Sequence, residues 1–246
     1  MKLRYFLKHL FLPKFSQETL LKELRKAYYN ENPKQPNLSN RRTMKQSSNR
    51  LVVPACHARS GRVQIFRTNH HPDVIKDANK EAALVALATA AAPTYFPAAV
   101  VDESAHVDGG MWANNPALVA LVEAVTFLGT PVNRIDILSV GTTTTPYSGR
   151  KQLKAGFFRW AAKLLTLMMH AQGGGVESLV QNLAGKARFL RVDQTLVPGE
   201  VSLDDVTRIS DLIDYGKTVA EQPEVLAQVR SRFLNGIHAS AWARFP

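Results

Sequence analysis

The stretch of residues 106–142 constrains the fold of this chain more than any other part of its sequence. His106-Val107-Asp108 has the pattern of a strand end, and Gly109-Gly110 breaks it. Pro116 opens a helical pattern that runs to Leu128, at a first-turn position where a missing N–H removes no hydrogen bond. Arg134 to Val140 is an apolar strand pattern. Strand, helix and strand in this order predict a parallel sheet with crossover helices.

The flanking segments extend the same alternation of strands and helices. The fold class that we predict is α/β, with helices flanking a sheet in three layers. Gly173–Gly175 is interpreted as a linker or helix break between two helices. The predicted helices are Gln17–Tyr29 (with Ser16 as N-cap), Asn79–Ala92 (stopped by Pro93), 155–171, 176–184 and two within 209–235; the other predicted strands are Leu51–Ala55, Arg62–Arg67 and Ala187–Val192.

The positive charge of the chain is concentrated at its N-terminal end. The formal net charge is +11, and residues 1–50 hold 12 Lys and Arg against 3 Glu. Such a segment can attract an anionic membrane surface, can attract nucleic acid, or can simply remain solvated. No nucleic-acid-binding motif or aromatic platform accompanies it, so nucleic acid is not expected as a partner.

Cysteine content and hydropathy favour a cytoplasmic location, with peripheral attachment to membranes left open. Cys56 is the single cysteine, which excludes an internal disulfide and a cysteine-rich zinc site. No secretory signal is convincing in residues 1–15, and Pro93 and Pro97 make residues 82–101 a poor membrane span. His70-His71 is interpreted as an exposed pair, and we predict neither a metal nor a cofactor.

Asp108 is the residue most favourably placed for chemistry. Its carboxylate is predicted to lie at the end of a strand, where ligand sites of open α/β sheets are found. Gly109 and Gly110 let the backbone turn sharply and leave space beside it. On spacing alone, however, aspartate before glycine is also ordinary turn chemistry.

Three longer segments in order resemble the bacterial patatin-like phospholipases. They are the A-A-P-T-Y-F-P end of the alanine-rich helix (Ala88–Pro97), the D-G-G-M-W-A-N-N-P string (Val107–Pro116) and the strand ending in I-L-S-V-G-T (Ile135–Thr142). The resemblance covers most of the chain and implies the C-terminal part of a patatin-like catalytic domain. We expect residues 1–142 to form this domain, with the basic segment 1–50, and residues 143–246 to continue the same globule.

The resemblance implies a serine acyl hydrolase of the phospholipase A type, with phospholipid or another acyl lipid as substrate. In that family a Ser–Asp dyad replaces a triad, and Asp108 of the D-G-G motif, with Gly109 and Gly110, would be the general base. A serine hydroxyl would attack the acyl ester, and water would hydrolyse the acyl-enzyme.

The sequence departs from the family at the nucleophile. No G-x-S-x-G elbow occurs, since Ser60 has Ala58 and Ser139 has Ile137 in place of the first glycine, and Ser104 lacks both glycines. The glycine-rich oxyanion loop that should precede the elbow is also absent. Met1 therefore has the look of an internal start or the edge of a broken gene, and we expect an N-terminally truncated domain that is inactive alone. The alternative is a catalytically dead regulatory or membrane-binding pseudoenzyme.

Other residues near the D-G-G string carry weaker hypotheses. His106 either tunes the Asp108 carboxylate or is simply packed or solvated. Asn114 and Asn115 are expected to support the turn that holds Asp108. The apolar helical residues 157–168 are interpreted as core, with an interfacial lipid-facing helix as the alternative.

Overall fold

The computed structural model describes residues 12–28, 41–146, 157–197, 200–202, 204–234 and 244–245, without the side chains of 157–163 and 165. The chain divides into two compact units. The first comprises Met1–Asn114 with Ser240–Pro246, and the second comprises Asn115–Ala239. The division expected at residue 142 stays a prediction.

The first unit is built on a four-stranded antiparallel sheet. Its strands are β1 (Val52–His57), β2 (Val63–Arg67), β3 (Ala99–Val101) and β4 (Ser104–Asp108), in the order β2-β1-β4-β3. The expectation of parallel pairing is wrong for this sheet, because tight turns join β1 to β2 and β3 to β4 without a crossover helix. Antiparallel strands need only such a hairpin, whereas parallel strands need a long connection.

The hairpin between β3 and β4 escaped the sequence analysis. Its two turn residues, Asp102 and Glu103, have φ angles of 46° and 66°. Positive φ at both central positions suits the right-handed twist of the strands. Asn-Gly or Asp-Gly is the usual signal for such a turn, and Asp-Glu does not give it.

Two helices of the first unit pack with the sheet to form its core. Helix α1 (Gln17–Tyr28) matches its prediction, and Leu20, Leu21 and Leu24 pack against the core. Helix α2 (Ala82–Thr89) is shorter than predicted, because Glu81 stands at its N-cap and the helix is capped at Ala90. The buried core residues are Met44, Ala55, Phe66, Val85, Leu87, Ala88, Ala91, Ala99 and Val101.

The second unit contains a parallel strand pair and its crossover helix. After a single helical turn, α3 (Gly110–Ala113), which belongs to the first unit, the chain forms α4 (Ala117–Thr126), β5 (Ile137–Val140), α5 (Phe157–Ala184) and β6 (Phe189–Val192). Strands β5 and β6 pair in parallel, with Ile137 opposite Phe189. The parallel crossover therefore joins β5 to β6 through α5. The one predicted from β4 through the helix after Pro116 to β5 is not found, because β4 and β5 lie in different sheets of the described structure. The last two helices are α6 (Ile209–Ala220) and α7 (Pro223–Phe233), and the fold as a whole is α/β.

Helix α5 corrects the interpretation of Gly173–Gly175 as a linker, since it runs unbroken through the three glycines for 28 residues. Each glycine in a helix interior is unfavourable by about 1 kcal/mol relative to alanine. Packing provides the compensation, because Val176, Val180 and Ala184 of α5 are buried against α4, β5 and β6.

None of the helices in the described part of the chain is long and apolar enough to cross a membrane.

Candidate active site

Two backbone interactions fix the position of Asp108. It is the last residue of β4 and lies opposite Ala55 of the neighbouring strand β1. Its backbone N–H donates to the carbonyl oxygen of Ala91, just beyond α2, at 3.0 Å. Both neighbours are fully buried. The predicted strand end is therefore confirmed, and it is held by the sheet on one side and by the α2 connection on the other.

The carboxylate of Asp108 is half-buried, and the described residues supply one hydrogen-bond donor to it. Its Oδ1 accepts the backbone N–H of Gly110 at 2.6 Å. Burial raises the pKa of Asp108 above its usual value, and the hydrogen bond from Gly110 opposes that shift only in part. A carboxylate with a raised pKa is a better proton acceptor, since base strength follows pKa.

Gly109 is required by a close backbone approach. A β-carbon at this position would lie 2.1 Å from the carbonyl oxygen of Pro54 in β1. The same oxygen accepts the hydroxyl of Thr89, at the end of α2, at 2.6 Å. The backbone can therefore turn away from the sheet after Asp108 only because the next residue, Gly109, has no side chain.

Trp112 holds the turn from its other end, a role that the sequence analysis missed. It lies in the single helical turn α3, and its indole N–H donates to the carbonyl oxygen of Ala55 at 2.9 Å. Ala55 is the residue opposite Asp108. No local pattern in the sequence signals this contact, because Ala55 lies in β1, 57 residues before Trp112.

His106 is packed in the core of the first unit. It is only 3% exposed, and its ring lies 5.1 Å from that of Phe66 and 5.6 Å from that of His57. Its Nδ1 has no hydrogen-bond partner among the described residues. Burial is the main cause that lowers the pKa of His106, and the nearby His57 adds to the effect. These contacts favour the packed histidine over one that tunes Asp108.

Asn115 is a structural residue of the second unit. Its side-chain oxygen accepts the backbone N–H of Ala117 at 3.1 Å and the hydroxyl of Ser139 at 3.4 Å. Its own N–H donates to Gln172 of α5 at 3.0 Å. Asn115 thus supports the start of α4. None of these hydrogen bonds reaches the turn at Asp108.

Ser139 is engaged in a polar cluster at the carboxyl ends of β5 and β6. Its buried hydroxyl accepts a hydrogen bond from Arg191 at 2.8 Å, and the other guanidinium nitrogen bonds Asp193 at 2.7 Å. Burial, the largest influence, raises the pKa of Asp193, but hydrogen bonds from Thr144 and Arg191 outweigh it and hold that pKa below its usual value. A buried serine bound to a guanidinium is poorly suited to be a nucleophile.

The Asp193 carboxylate also explains the glycine of the I-L-S-V-G-T string. A β-carbon at Gly141 would lie 2.3 Å from this carboxyl group. Asp193 further accepts the N–H of Thr143, which has the strained φ of 104°, at 3.1 Å. No sequence pattern indicates these contacts, since Asp193 lies about fifty residues after Gly141 and Thr143 along the chain.

Ser60 and His57 form the other serine contact of interest. The Ser60 hydroxyl lies 2.9 Å from Nδ1 of His57, and the Ser60 backbone N–H donates to the same nitrogen at 3.3 Å. This is a local arrangement within the β1–β2 turn. The described residues contain no group of three His, Cys, Asp or Glu side chains able to hold a metal ion.

A known protein family matches the region of the chain that contains the D-G-G turn. Residues 1–121 match the family model described as patatin-like phospholipase. A cGAMP-activated phospholipase of Pseudomonas aeruginosa is 35% identical over 161 residues, which cover 64% of this chain and 48% of the relative. One from Vibrio cholerae is 40% identical over 106 residues, covering 40% of this chain and 30% of the relative. Patatin-like protein 2 of Arabidopsis thaliana is 24% identical over 211 residues, which cover 71% of this chain and 51% of the relative.

The structure therefore combines an α/β fold with the D-G-G turn at the end of β4. Residues 1–121 match the patatin-like phospholipase family, and the bacterial relatives support the same family. It spans about half the length, or less, of the curated relatives that it matches.

Proposed function

We propose that this domain is part of a serine-type lipid acyl hydrolase of the phospholipase A class, with Asp108 as the general base of a Ser–Asp dyad. The observation that carries the proposal is the half-buried carboxylate at the end of β4, held in one orientation by Gly110. The match to the family supports the lipid substrate.

The two oxygens of the carboxylate have different surroundings. Oδ1 is occupied by the Gly110 N–H, and the described residues show no donor to Oδ2. In the proposed reaction Oδ2 accepts the proton of a serine hydroxyl as that oxygen attacks the acyl carbonyl. The acyl-enzyme then forms with loss of the alcohol, and water hydrolyses it. The raised pKa of Asp108 brings an ordinarily weak base closer to neutral pH.

The serine is not supplied by a G-x-S-x-G motif within these 246 residues. Ser139 is bound to Arg191, and Ser60 is bound to His57 in a turn. We therefore expect the 246-residue chain alone to hydrolyse no phospholipid or simple ester above background. An ester assay on the purified chain tests this, with Asp108→Ala as the comparison. Activity that depends on Asp108 would show that one of the serines of this chain is the nucleophile.

The decisive experiment joins a family-type N-terminal segment, with its glycine loop and G-x-S-x-G, to the start of this chain. Esterase activity should appear in the fusion, and Asp108→Asn should reduce it by about 10²–10⁴-fold, the usual contribution of a general base. His106→Ala should reduce it far less. A folded fusion that is equally active with Asp108→Asn would refute the assignment. Collapse in His106→Ala, with the fold intact, would indicate a three-residue relay.

The assay should be run with and without cGAMP, because the bacterial relatives are named as phospholipases activated by that nucleotide. Activity that appears only with cGAMP would extend this property to the fusion.

The second candidate is a cytoplasmic pseudoenzyme that binds membranes, and the absence of the G-x-S-x-G motif favours it. In either case the basic residues 1–50 would attract the protein to an anionic lipid surface, each cation near the surface contributing about 1 kcal/mol. Restoration of activity by the fusion separates the two candidates, since a pseudoenzyme whose site has decayed would stay inactive.

A further inference from the structure

A partly exposed cluster of apolar, aromatic and basic side chains lies on the first unit, close in sequence to the residue that anchors Asp108. We name it the aromatic patch, and its members are Leu12, Lys14, Phe15, Tyr95 and Phe96. Leu12 is 54% exposed and Phe15 is 39% exposed. Single exposed apolar residues are ordinary, whereas a cluster of them with a charged member marks an interaction surface.

The patch is assembled from two segments that hydrogen bonds hold together. The backbone N–H groups of Lys14 and Phe15 donate to the carbonyl oxygens of Thr94 and Tyr95, at 3.0 and 2.8 Å. The ring of Phe15 lies 6.4 Å from that of Tyr95 and 5.7 Å from that of Phe96. The patch is therefore a fixed surface and not a chance meeting of side chains.

The turn that presents the two rings is itself constrained. Thr94 has a φ of 74°, an uncommon conformation for a β-branched residue. The N–H groups of Tyr95 and Phe96 both donate to the carbonyl oxygen of Ala92, at 3.1 and 2.9 Å. Strain of this kind persists only where the surrounding structure enforces it, and it is common at functional surfaces.

Lys14 gives the patch its second chemical property. Its ammonium group lies 5.4 Å from the ring centre of Phe15 and 5.8 Å from that of Tyr95. A cation over aromatic rings, with an exposed leucine two residues earlier in the sequence, suits the boundary between lipid head groups and acyl chains. Aromatic side chains favour this boundary, and lysine favours the anionic head groups beside it.

The patch is also close to the candidate site. Ala91, whose carbonyl oxygen accepts the Asp108 N–H, directly precedes the Ala92–Phe96 turn. We infer that the aromatic patch is a docking surface for an anionic phospholipid bilayer, with Leu12 and Phe15 entering the acyl region and Lys14 binding head-group phosphates. The inference rests on the proposed function for its lipid partner. It would place the Asp108 turn beside the membrane that holds the substrate.

The test is binding of the full chain to vesicles, which requires no hydrolysis. Wild-type protein should sediment with vesicles of phosphatidylcholine mixed with phosphatidylglycerol, and less with phosphatidylcholine alone. Phe15→Ala should weaken binding about five- to tenfold, from the apolar area withdrawn from the bilayer. Lys14→Gln should weaken it about fivefold, and only on the mixed vesicles. The matched control is Val63→Ala in β2, which removes a side chain that is 59% exposed elsewhere on the same unit and should change nothing.

A second measurement covers the case in which Phe15→Ala does not fold. Phe15→Trp should shift its fluorescence to shorter wavelength when mixed vesicles are added, after subtraction of the wild-type signal. No shift under conditions where the protein sediments with vesicles would overturn the inference, because another part of the chain would then bind. Equal binding by wild type and folded Phe15→Ala would overturn it too. The inference would also be overturned if Phe15→Ala changed the oligomeric mass in solution but not vesicle binding, since the patch would then be an interface between copies of this chain.

The inference and the proposed function can fail separately. Asp108→Asn should bind vesicles as wild type does, since the carboxylate is not part of the patch. If the chain binds vesicles as expected but the esterase activity of the fusion is unchanged by Asp108→Asn, only the proposed function is refuted. If the activity of the fusion depends on Asp108 but vesicle binding is unchanged by substitution of Phe15 or Lys14, only the docking surface is refuted.

Discussion

The α-carbon of Gly109 lies against the carbonyl oxygen of Pro54, so closely that a β-carbon would come within 2.1 Å of it. Both partners are backbone, and neither can swing aside as a flexible side chain could. Gly109→Ala is therefore expected to lower the free energy of unfolding by about 1–3 kcal/mol, the usual effect of overpacking, or by more. Urea unfolding followed by circular dichroism measures the loss.

The control for that substitution is Gly216→Ala. Gly216 lies inside α6 with open space where a β-carbon would stand. Alanine there should raise the free energy of unfolding by about 0.5–1 kcal/mol, because glycine disfavours helix. Equal effects of the two substitutions would mean that the Gly109 contact does not limit stability.

Asp108→Asn should stabilise the fold at neutral pH. Burial raises the pKa of Asp108 in the folded state, so the ionised carboxylate opposes folding above that pKa. Asparagine keeps an oxygen for the Gly110 N–H and carries no charge. The melting temperature of the variant should exceed that of wild type at pH 7, and the gap should close as the pH falls through the raised pKa. Exposed Asp73→Asn is the control that should show no such gain, and a less stable Asp108→Asn would contradict burial as the dominant influence.

His106 should make the protein sensitive to acid. Its pKa is lowered in the folded state by burial first and then by His57 and Lys80, while a backbone hydrogen bond at Ser104 and, less strongly, the Asp77 carboxylate oppose the shift. As the pH falls below the unfolded value of about 6.5, the unfolded chain takes up a proton that the folded chain refuses, so stability declines. His106→Phe retains a ring beside Phe66 but has no titrating group, so its melting temperature should fall less than that of wild type as the pH is lowered. If the two proteins lose stability equally on acidification, the acid sensitivity arises from another group.

Glu81 should hold helix α1 to the core of the first unit. Its carboxylate, only 8% exposed, bonds Arg25 of α1 at 2.9 Å and Arg41 at 3.2 Å. Glutamine removes the negative charge that both guanidinium groups face, and we expect Glu81→Gln to lower the free energy of unfolding by about 1–3 kcal/mol, less than the loss of a partner in a fully buried pair. Limited proteolysis should cut the α1 region sooner. The exposed pair of Glu23 and Lys26 supplies the control, since Glu23→Gln should change stability by less than about 0.5 kcal/mol.

Gly174 and Gly175 should be sites of easy stabilisation. Both have open space where a β-carbon would stand, and both lie inside α5. Each change to alanine should raise the free energy of unfolding by about 1 kcal/mol, through helix propensity alone. Thermal unfolding with far-ultraviolet detection measures the gain. A loss of helix signal in either variant would instead show that the glycines are needed for a bend.

Local patterns were sufficient to predict much of this fold. The end of β4 at Asp108, the helix after Pro116 and the parallel strands β5 and β6 all follow from alternation, proline and glycine placed where elements begin and end. The same patterns mispredicted α5, because three consecutive glycines give a strong local signal that burial of Val180 and its neighbours overrides.

The interactions that shape the candidate site could not be predicted in this way. Gly109 is explained by Pro54, Trp112 by Ala55, and the glycine after β5 by Asp193. Each pair joins residues far apart in sequence, and no propensity or periodicity of one segment reports its partner in another. The antiparallel direction of the first sheet was missed for the same reason, together with the absence of an Asn-Gly signal in the β3–β4 turn.

The pairing of β1 with β4 also has a consequence for how the molecule folds. Ala55 and Asp108 meet across about fifty residues of chain, whereas the β1–β2 and β3–β4 hairpins close over a few. Closing the longer loop loses more chain entropy, so the two hairpins should form early and dock on each other late. Asp108 would then reach its place opposite Ala55 only when the two hairpins dock, and a heat-stressed chain would lose this pairing before it loses its hairpins.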